Sequence, residues 1–149
     1  MSCISEYLAQ GHRHCDDLFV SAENDVADGR IAEAQGSHDA LHLELETHFS
    51  MEEKVMFPAF ENQTGMTAGP TEMMRMEHAR MRELLGRMKT ALADHDAVTY
   101  LGLSETLLMI MQQHNFKEEQ MLYTMADEVL GAAGANVVEN MKALADGAH

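Results

Sequence analysis

The chain has 149 residues, of which 25 are acidic and 10 basic, and its formal net charge at pH 7 is −15. So negative a surface argues against nucleic acid or an anionic membrane as partner, because both are bound through clustered Lys and Arg. The length suits one domain with a substantial core.

Two cysteines twelve residues apart, Cys3 and Cys15, exclude a structural zinc ribbon and a cysteine-bound iron–sulfur cluster. The N-terminus lacks the basic flank and apolar core of a signal peptide, and the longest apolar run, LLMIM at 107–111, is too short to cross a membrane. We therefore predict a soluble cytoplasmic protein.

Apolar residues recur at helical spacing through almost the whole chain. Pro58 is expected to end or kink the second helix, and GAAG at 131–134 to separate the fourth helix from a short tail helix that ends near Ala145. The four long helices are predicted at about 2–27, 31–57, 70–93 and 97–130. Short connections then predict an all-α, antiparallel up-down four-helix bundle over 1–130, with 131–149 forming a short C-terminal helix packed on or near it.

The sequence repeats at an offset of 66 residues, so that HFSMEEKVMFP at 48–58 matches HNFKEEQMLYT at 114–124. The apolar stripe repeats in the same register. The matched polar and aromatic pairs are His12 with His78, His48 with His114, Glu52 with Glu118, Glu53 with Glu119, and Phe57 with Tyr123. The bundle is therefore predicted to consist of two copies of a helical hairpin.

His48 and Glu52 share the helix face of Leu45, so the apolar stripe carries a carboxylate inward, which is costly unless its charge is balanced. Counting from the predicted turns places four histidines and two glutamates in one layer of the core. Imidazole and carboxylate ligands suit first-row metal ions, iron in particular. The predicted metal ligands are His12, His48, Glu52, His78, His114 and Glu118, with His12 paired with His48, His78 paired with His114, and the two glutamates bridging two ions.

This pattern resembles the hemerythrin-like family, also called the HHE cation-binding domain, over residues 4–127, and HFSMEEKVMFP is similar to the family's helix-two motif. The resemblance implies an oxo- or hydroxo-bridged pair of non-haem Fe ions in a four-helix bundle, with roles in oxygen, nitric oxide, peroxide or iron-linked redox biology. Ferritin-like di-iron bundles use Glu and then His three residues later, a spacing that this sequence lacks.

The sequence departs from the oxygen carriers of the family at two positions. A carrier has a further histidine at the position where this chain has Met74. In a carrier, the last carboxylate lies five residues after the last histidine. That position is Glu119 in this chain, so Glu119 is the alternative to Glu118 as a ligand. The site is thus predicted to be more symmetric than a carrier's. This favours reactive or sensing roles, unless another residue supplies a ligand.

The leading hypothesis is a protein that binds or senses dioxygen or a related small ligand, with an electron-transfer partner possible. The alternative is a redox role resembling that of an enzyme, namely peroxide or nitric oxide turnover, or iron delivery in iron–sulfur cluster repair. A metal-free structural bundle is the third interpretation. Among the remaining residues, Met121 is expected in the core, Cys15 is expected to pack there, and His38 and His42 are expected on a solvated face.

Overall fold

The structure is a computed structural model that describes residues 3–148, and within that range it is helical with no strand. The helices are α1 (Ile4–Ala27), α2 (Ile31–Met51), α3 (Phe57–Thr64), α4 (Pro70–Ala93), α5 (Ala97–Lys117), α6 (Tyr123–Leu130) and α7 (Gly134–Ala148). The all-helical bundle is thereby confirmed, whereas Ser2, the predicted start of helix one, lies outside the described residues. No helix among residues 3–148 is long and apolar enough to cross a membrane.

The predicted second and fourth helices each contain one turn of π-helix, Glu52–Met56 and Glu118–Leu122. At the end of each turn a backbone N–H reaches the carbonyl five residues earlier, from Phe57 to Glu52 and from Tyr123 to Glu118. The wide turns occupy equivalent positions of the sequence repeat. They join α2 to α3 and α5 to α6.

The sequence predicted that Pro58 would end or kink the second helix. The predicted end near Phe57 is wrong, because the helix continues to Thr64, and the kink stays a prediction. Pro58 lies in the first turn of α3 and has no N–H to offer the carbonyl of Glu53, five residues earlier. Arg75 Nη2 donates to that carbonyl instead, at 3.5 Å. Gly65, with φ of 74°, then ends α3 in the left-handed conformation that glycine adopts at low cost.

Two apolar clusters fill the bundle, one on each side of a polar layer. The first includes Phe19, Leu45 and Met81, and the second includes Leu8, Met56 and Met74. Helix α7 contributes Val137, Val138 and Met141 to the second cluster. His12 follows Leu8 by one turn and precedes Cys15, so the polar layer separates the two clusters along α1.

Candidate metal centre

The polar layer contains all six residues that were predicted as metal ligands. His12 lies on α1, His48 on α2, His78 on α4 and His114 on α5, and the two glutamates open the π-turns. Each of the six residues is at most 4% exposed. They form two overlapping groups, the first made of His12, His48 and Glu118 and the second of Glu52, His78, His114 and Glu118.

Two close contacts between histidine and glutamate in this layer lack the geometry of hydrogen bonds. His78 Nε2 lies 3.1 Å from Glu52 Oε1, and His114 Nε2 lies 3.1 Å from Glu118 Oε1. Five buried side-chain atoms have no hydrogen-bond partner among the described residues, namely His48 Nδ1, Glu52 Oε1, His78 Nε2, His114 Nε2 and Glu118 Oε2. Leaving such atoms buried and unpaired costs about 1–3 kcal/mol each, and more for charged groups.

The outer nitrogens of three imidazoles each donate to a carboxylate. The Nδ1 atoms of His12, His78 and His114 lie 2.8, 2.7 and 2.7 Å from carboxylate oxygens of Glu119, Glu53 and Glu77, respectively. We call Glu53, Glu77 and Glu119 the outer carboxylates. A carboxylate behind a neutral imidazole fixes the ring and its tautomer, and leaves Nε2 facing inward with a lone pair, as in histidines that bind metals.

Two of the outer carboxylates are themselves held by cations. Arg82 donates from Nη1 and Nη2 to Glu53 at 2.9 Å each, and Lys117 pairs with Glu77. The cations keep these carboxylates ionised: burial raises the pKa of Glu53, but His78 and Arg82 lower it more, to about 2. Since Glu119 is thus an outer carboxylate of His12, the structure favours Glu118 over Glu119 as the inward residue.

Tyr123 also belongs to the site, although the sequence analysis did not assign it there. Its hydroxyl oxygen lies 2.7 Å from Glu52 Oε2 and 2.9 Å from Glu118 Oε1. The same oxygen lies 3.0 Å from His12 Nε2 and 3.3 Å from His48 Nε2. The π-turn makes this possible, because its five-residue hydrogen bond sets Tyr123 above Glu118.

His48 differs from the other three histidines in its surroundings. Its Nδ1 has no partner among the described residues and faces Gly11, where an added Cβ would lie 2.7 Å from that nitrogen. In the sequence repeat, Gly11 corresponds to Glu77, the outer carboxylate of His114. The backbone of α1 therefore occupies the space in which His48 would need a carboxylate partner.

Burial and neighbouring charges shift the pKa values of groups in the layer. Burial raises the pKa of Glu52, and the charge of Glu118 raises it further, to about 7. Burial lowers the pKa of His78, but Glu52 and Glu53 raise it more, to about 9. A metal cation that binds here must displace the protons that these shifts retain.

The residues present fit a metal ion on two counts. Their donors are imidazole nitrogens and carboxylate oxygens, the set that first-row ions accept. Three His–Glu contacts across the layer measure 3.1 Å. Donor atoms set at right angles around an ion at about 2.1 Å would lie about 3.0 Å apart, so these separations match a shared ion.

Two expectations outside the site are wrong. His38, expected on a solvated face, is fully buried, and it contacts the hydroxyl of Tyr100 at 3.0 Å and the carbonyl of Leu85 at 3.1 Å. Met121, expected in the core, is 61% exposed because it lies within the second π-turn, where the α-helical register no longer holds. Cys15 packs in the first cluster, and burial raises the pKa of its thiol to about 12.

Comparison with known proteins agrees with this site. The family model for the hemerythrin HHE cation-binding domain matches residues 3–126, which confirms the resemblance seen in the sequence. No curated protein and no solved structure gives a significant match. Domains of this family bind metal ions, and this chain has a buried His/Glu cluster that could hold them. The chain belongs to the hemerythrin HHE cation-binding domain family.

Proposed function

We propose that the polar layer holds two iron ions and that the protein binds or senses dioxygen or a related small ligand there. His12, His48, His78 and His114 serve as terminal ligands, and Glu52 and Glu118 bridge the ions. The observation that carries this proposal is the set of unpartnered Nε2 and Oε atoms that face one another in a layer at most 4% exposed. Such atoms are explained by a cation between them, since buried polar groups are otherwise paired.

The side chains around the ions have separate tasks in this proposal. The outer carboxylates orient the imidazoles and keep their lone pairs inward. Phe49 and Phe57 stack on the His78 ring, at centroid distances of 4.2 and 5.9 Å, and exclude water from that side. When bound, a pair of ferrous ions supplies electrons and an open coordination position to the small ligand.

The supporting architecture is part of the proposal. We propose an antiparallel up-down arrangement of two repeated hairpins over 1–130, with 131–149 as an added C-terminal element, in a cytoplasmic protein. The two glutamates then come from different hairpins, because Glu52 follows α2 and Glu118 follows α5. Each ion would therefore require both copies of the repeat.

Metal content and a redox cycle test this function. Protein expressed with added iron is expected to contain two irons per chain and to show an iron-specific Mössbauer signal. After anaerobic reduction, exposure to air is expected to change the visible absorbance, and removal of dioxygen is expected to reverse the change. An iron content well below two per chain would count against the proposal.

A redox role that resembles an enzyme is the second candidate, and Tyr123 favours it. Its hydroxyl is a proton-bearing group within 3.3 Å of four of the proposed ligands. It could deliver a proton as a small molecule bound nearby, such as peroxide or nitric oxide, is reduced. This candidate replaces the first if air oxidises the reduced protein irreversibly in one cycle, and if peroxide or nitric oxide is consumed over many turnovers while an added reductant restores the ferrous ions.

A further inference from the structure

The two halves of the centre differ, although they derive from one sequence repeat. Tyr123 corresponds to Phe57 at the offset of 66 residues. We call the side of the layer with His12 and His48 the Tyr123 half, and the side with His78 and His114 the Phe57 half. The rings hold comparable places, since Tyr123 lies 5.6 Å from the His12 ring and Phe57 lies 5.9 Å from the His78 ring. The two rings therefore differ by one hydroxyl group.

That hydroxyl lies among the donor atoms of the Tyr123 half. Its oxygen is 3.0 Å from His12 Nε2, 3.3 Å from His48 Nε2 and 2.9 Å from Glu118 Oε1. These three residues are the group that could hold an ion on this side. The hydroxyl thus occupies the place among these atoms that an ion would take.

In the Phe57 half, the Tyr123 hydroxyl reaches Glu52 Oε2, at 2.7 Å, and the shared Glu118, but it makes no hydrogen bond to His78 or His114. Four of the five unpartnered buried atoms belong to the four residues of this half, one atom from each, namely Glu52 Oε1, His78 Nε2, His114 Nε2 and Glu118 Oε2. Both of its imidazoles also have an outer carboxylate, and each of these carboxylates is paired with a cation. This half is preorganised for an ion.

Outer support is weaker in the Tyr123 half. His12 has the outer carboxylate Glu119, whereas His48 Nδ1 faces Gly11 without a partner among the described residues. Loss of one such partner typically lowers metal affinity 10–100-fold. A surface depression of about 620 Å³, lined in part by Ala9, Glu119 and Tyr123, also adjoins this half. The Tyr123 half is therefore the more exchangeable side.

We infer that the two ions load in a fixed order, the Phe57 half first, and that the second ion enters the Tyr123 half only by displacing the Tyr123 hydroxyl. This inference rests on the proposed metal-binding function. The missing carboxylate of His48 alone predicts that the second ion binds about 10–100-fold more weakly than the first.

Anaerobic titration calorimetry with ferrous ion tests the order. The wild-type chain is expected to show two binding steps. Tyr123→Phe is expected to increase the affinity of the second step about tenfold or more, because the hydrogen bond from the hydroxyl to charged acceptors no longer competes with the ion. Phe57→Tyr is the matched control, since it places a hydroxyl at the equivalent position and is expected to weaken the first step. Circular dichroism checks that both variants fold.

Histidine variants assign the steps to the halves. His48→Ala is expected to remove the weak step, and His114→Ala the tight step. In crystals grown with one equivalent of iron, anomalous scattering is expected in the Phe57 half. Equal steps in the wild type, or a second step weakened by Tyr123→Phe, would overturn the inference while two ions still bind. If no ion binds to the wild type, the proposed function itself fails. Should Phe57→Tyr not fold, Tyr123→Phe and the histidine variants decide the matter.

Discussion

The close approach of Gly11 to His48 predicts an unusual effect of Gly11→Ala. In a helix interior, Ala is favoured over Gly by about 1 kcal/mol. At Gly11, however, the new Cβ would lie 2.7 Å from His48 Nδ1 and 3.1 Å from Cε1. The imidazole cannot withdraw freely, because its ring lies 4.7 Å from that of His12 and is 3% exposed. Overpacking of this kind costs about 1–3 kcal/mol, which cancels or exceeds the helical gain.

Gly86→Ala provides the matched control. Gly86 also lies within a 24-residue helix, α4, and an added Cβ there meets nothing within 4 Å. This variant is expected to stabilise the protein by about 0.4–1 kcal/mol. The free energies of unfolding of the two variants should therefore differ by about 1–3 kcal/mol, or roughly 2–12 °C in melting temperature.

Urea and thermal unfolding, followed by circular dichroism on metal-free protein, measure this difference. Displacement of His48 is also expected to weaken the second step of the iron titration and to leave the first unchanged. If Gly11→Ala is stabilised as much as Gly86→Ala, the helix does not constrain His48, and the reasoning is refuted.

Three further predictions concern the loaded centre. Glu52→Ala is expected to lose iron and to lower the melting temperature of iron-loaded protein, since binding energy is partly folding energy; an unchanged iron content would contradict its bridging role. In the metal-free protein the pKa of His78 is raised to about 9, so protonated His78 stabilises the fold. This stabilisation is complete below pH 6.5 and is lost as the pH rises through 9. Iron affinity should accordingly increase between pH 7 and 9, with proton release that calorimetry in different buffers detects, and a flat profile would refute this. Glu77→Gln is expected to weaken iron binding about tenfold in chelator competition, whereas the exposed Glu139→Gln should have no effect.

Apolar periodicity, the sequence repeat and the His/Glu motif together predicted the helical bundle, the family and the convergence of the six inward residues. His48 and Glu52 are four residues apart, as are His114 and Glu118, and that spacing survives because the π-turns begin only at the glutamates. Up to the start of each π-turn, α-helical periodicity correctly predicts which side chains face the core. The ligand roles of these residues remain predictions.

The residues that the sequence analysis missed lie where periodicity or the repeat fails. An ideal α-helix places Tyr123 about 140° around the axis from Glu118, so only the π-turn brings its hydroxyl into the layer. Glu77 has no counterpart in the repeat, where Gly11 takes its place. The replacement of Phe57 by Tyr123 in the second copy of the repeat was the one sequence signal that could have indicated a role for Tyr123. The burial of His38 depends on Tyr100, 62 residues away, and no local pattern indicates such a contact.

The start of α1 depends on a residue near the end of the bundle. Asp127 on α6 accepts from the backbone N–H of Ile4 at 2.9 Å and of Ser5 at 3.3 Å. During synthesis the N–H groups of Ile4 and Ser5 therefore lack this acceptor until Asp127 has been made. The two halves of the sequence repeat are thus expected to fold as one cooperative unit, and neither half should be stable when expressed alone.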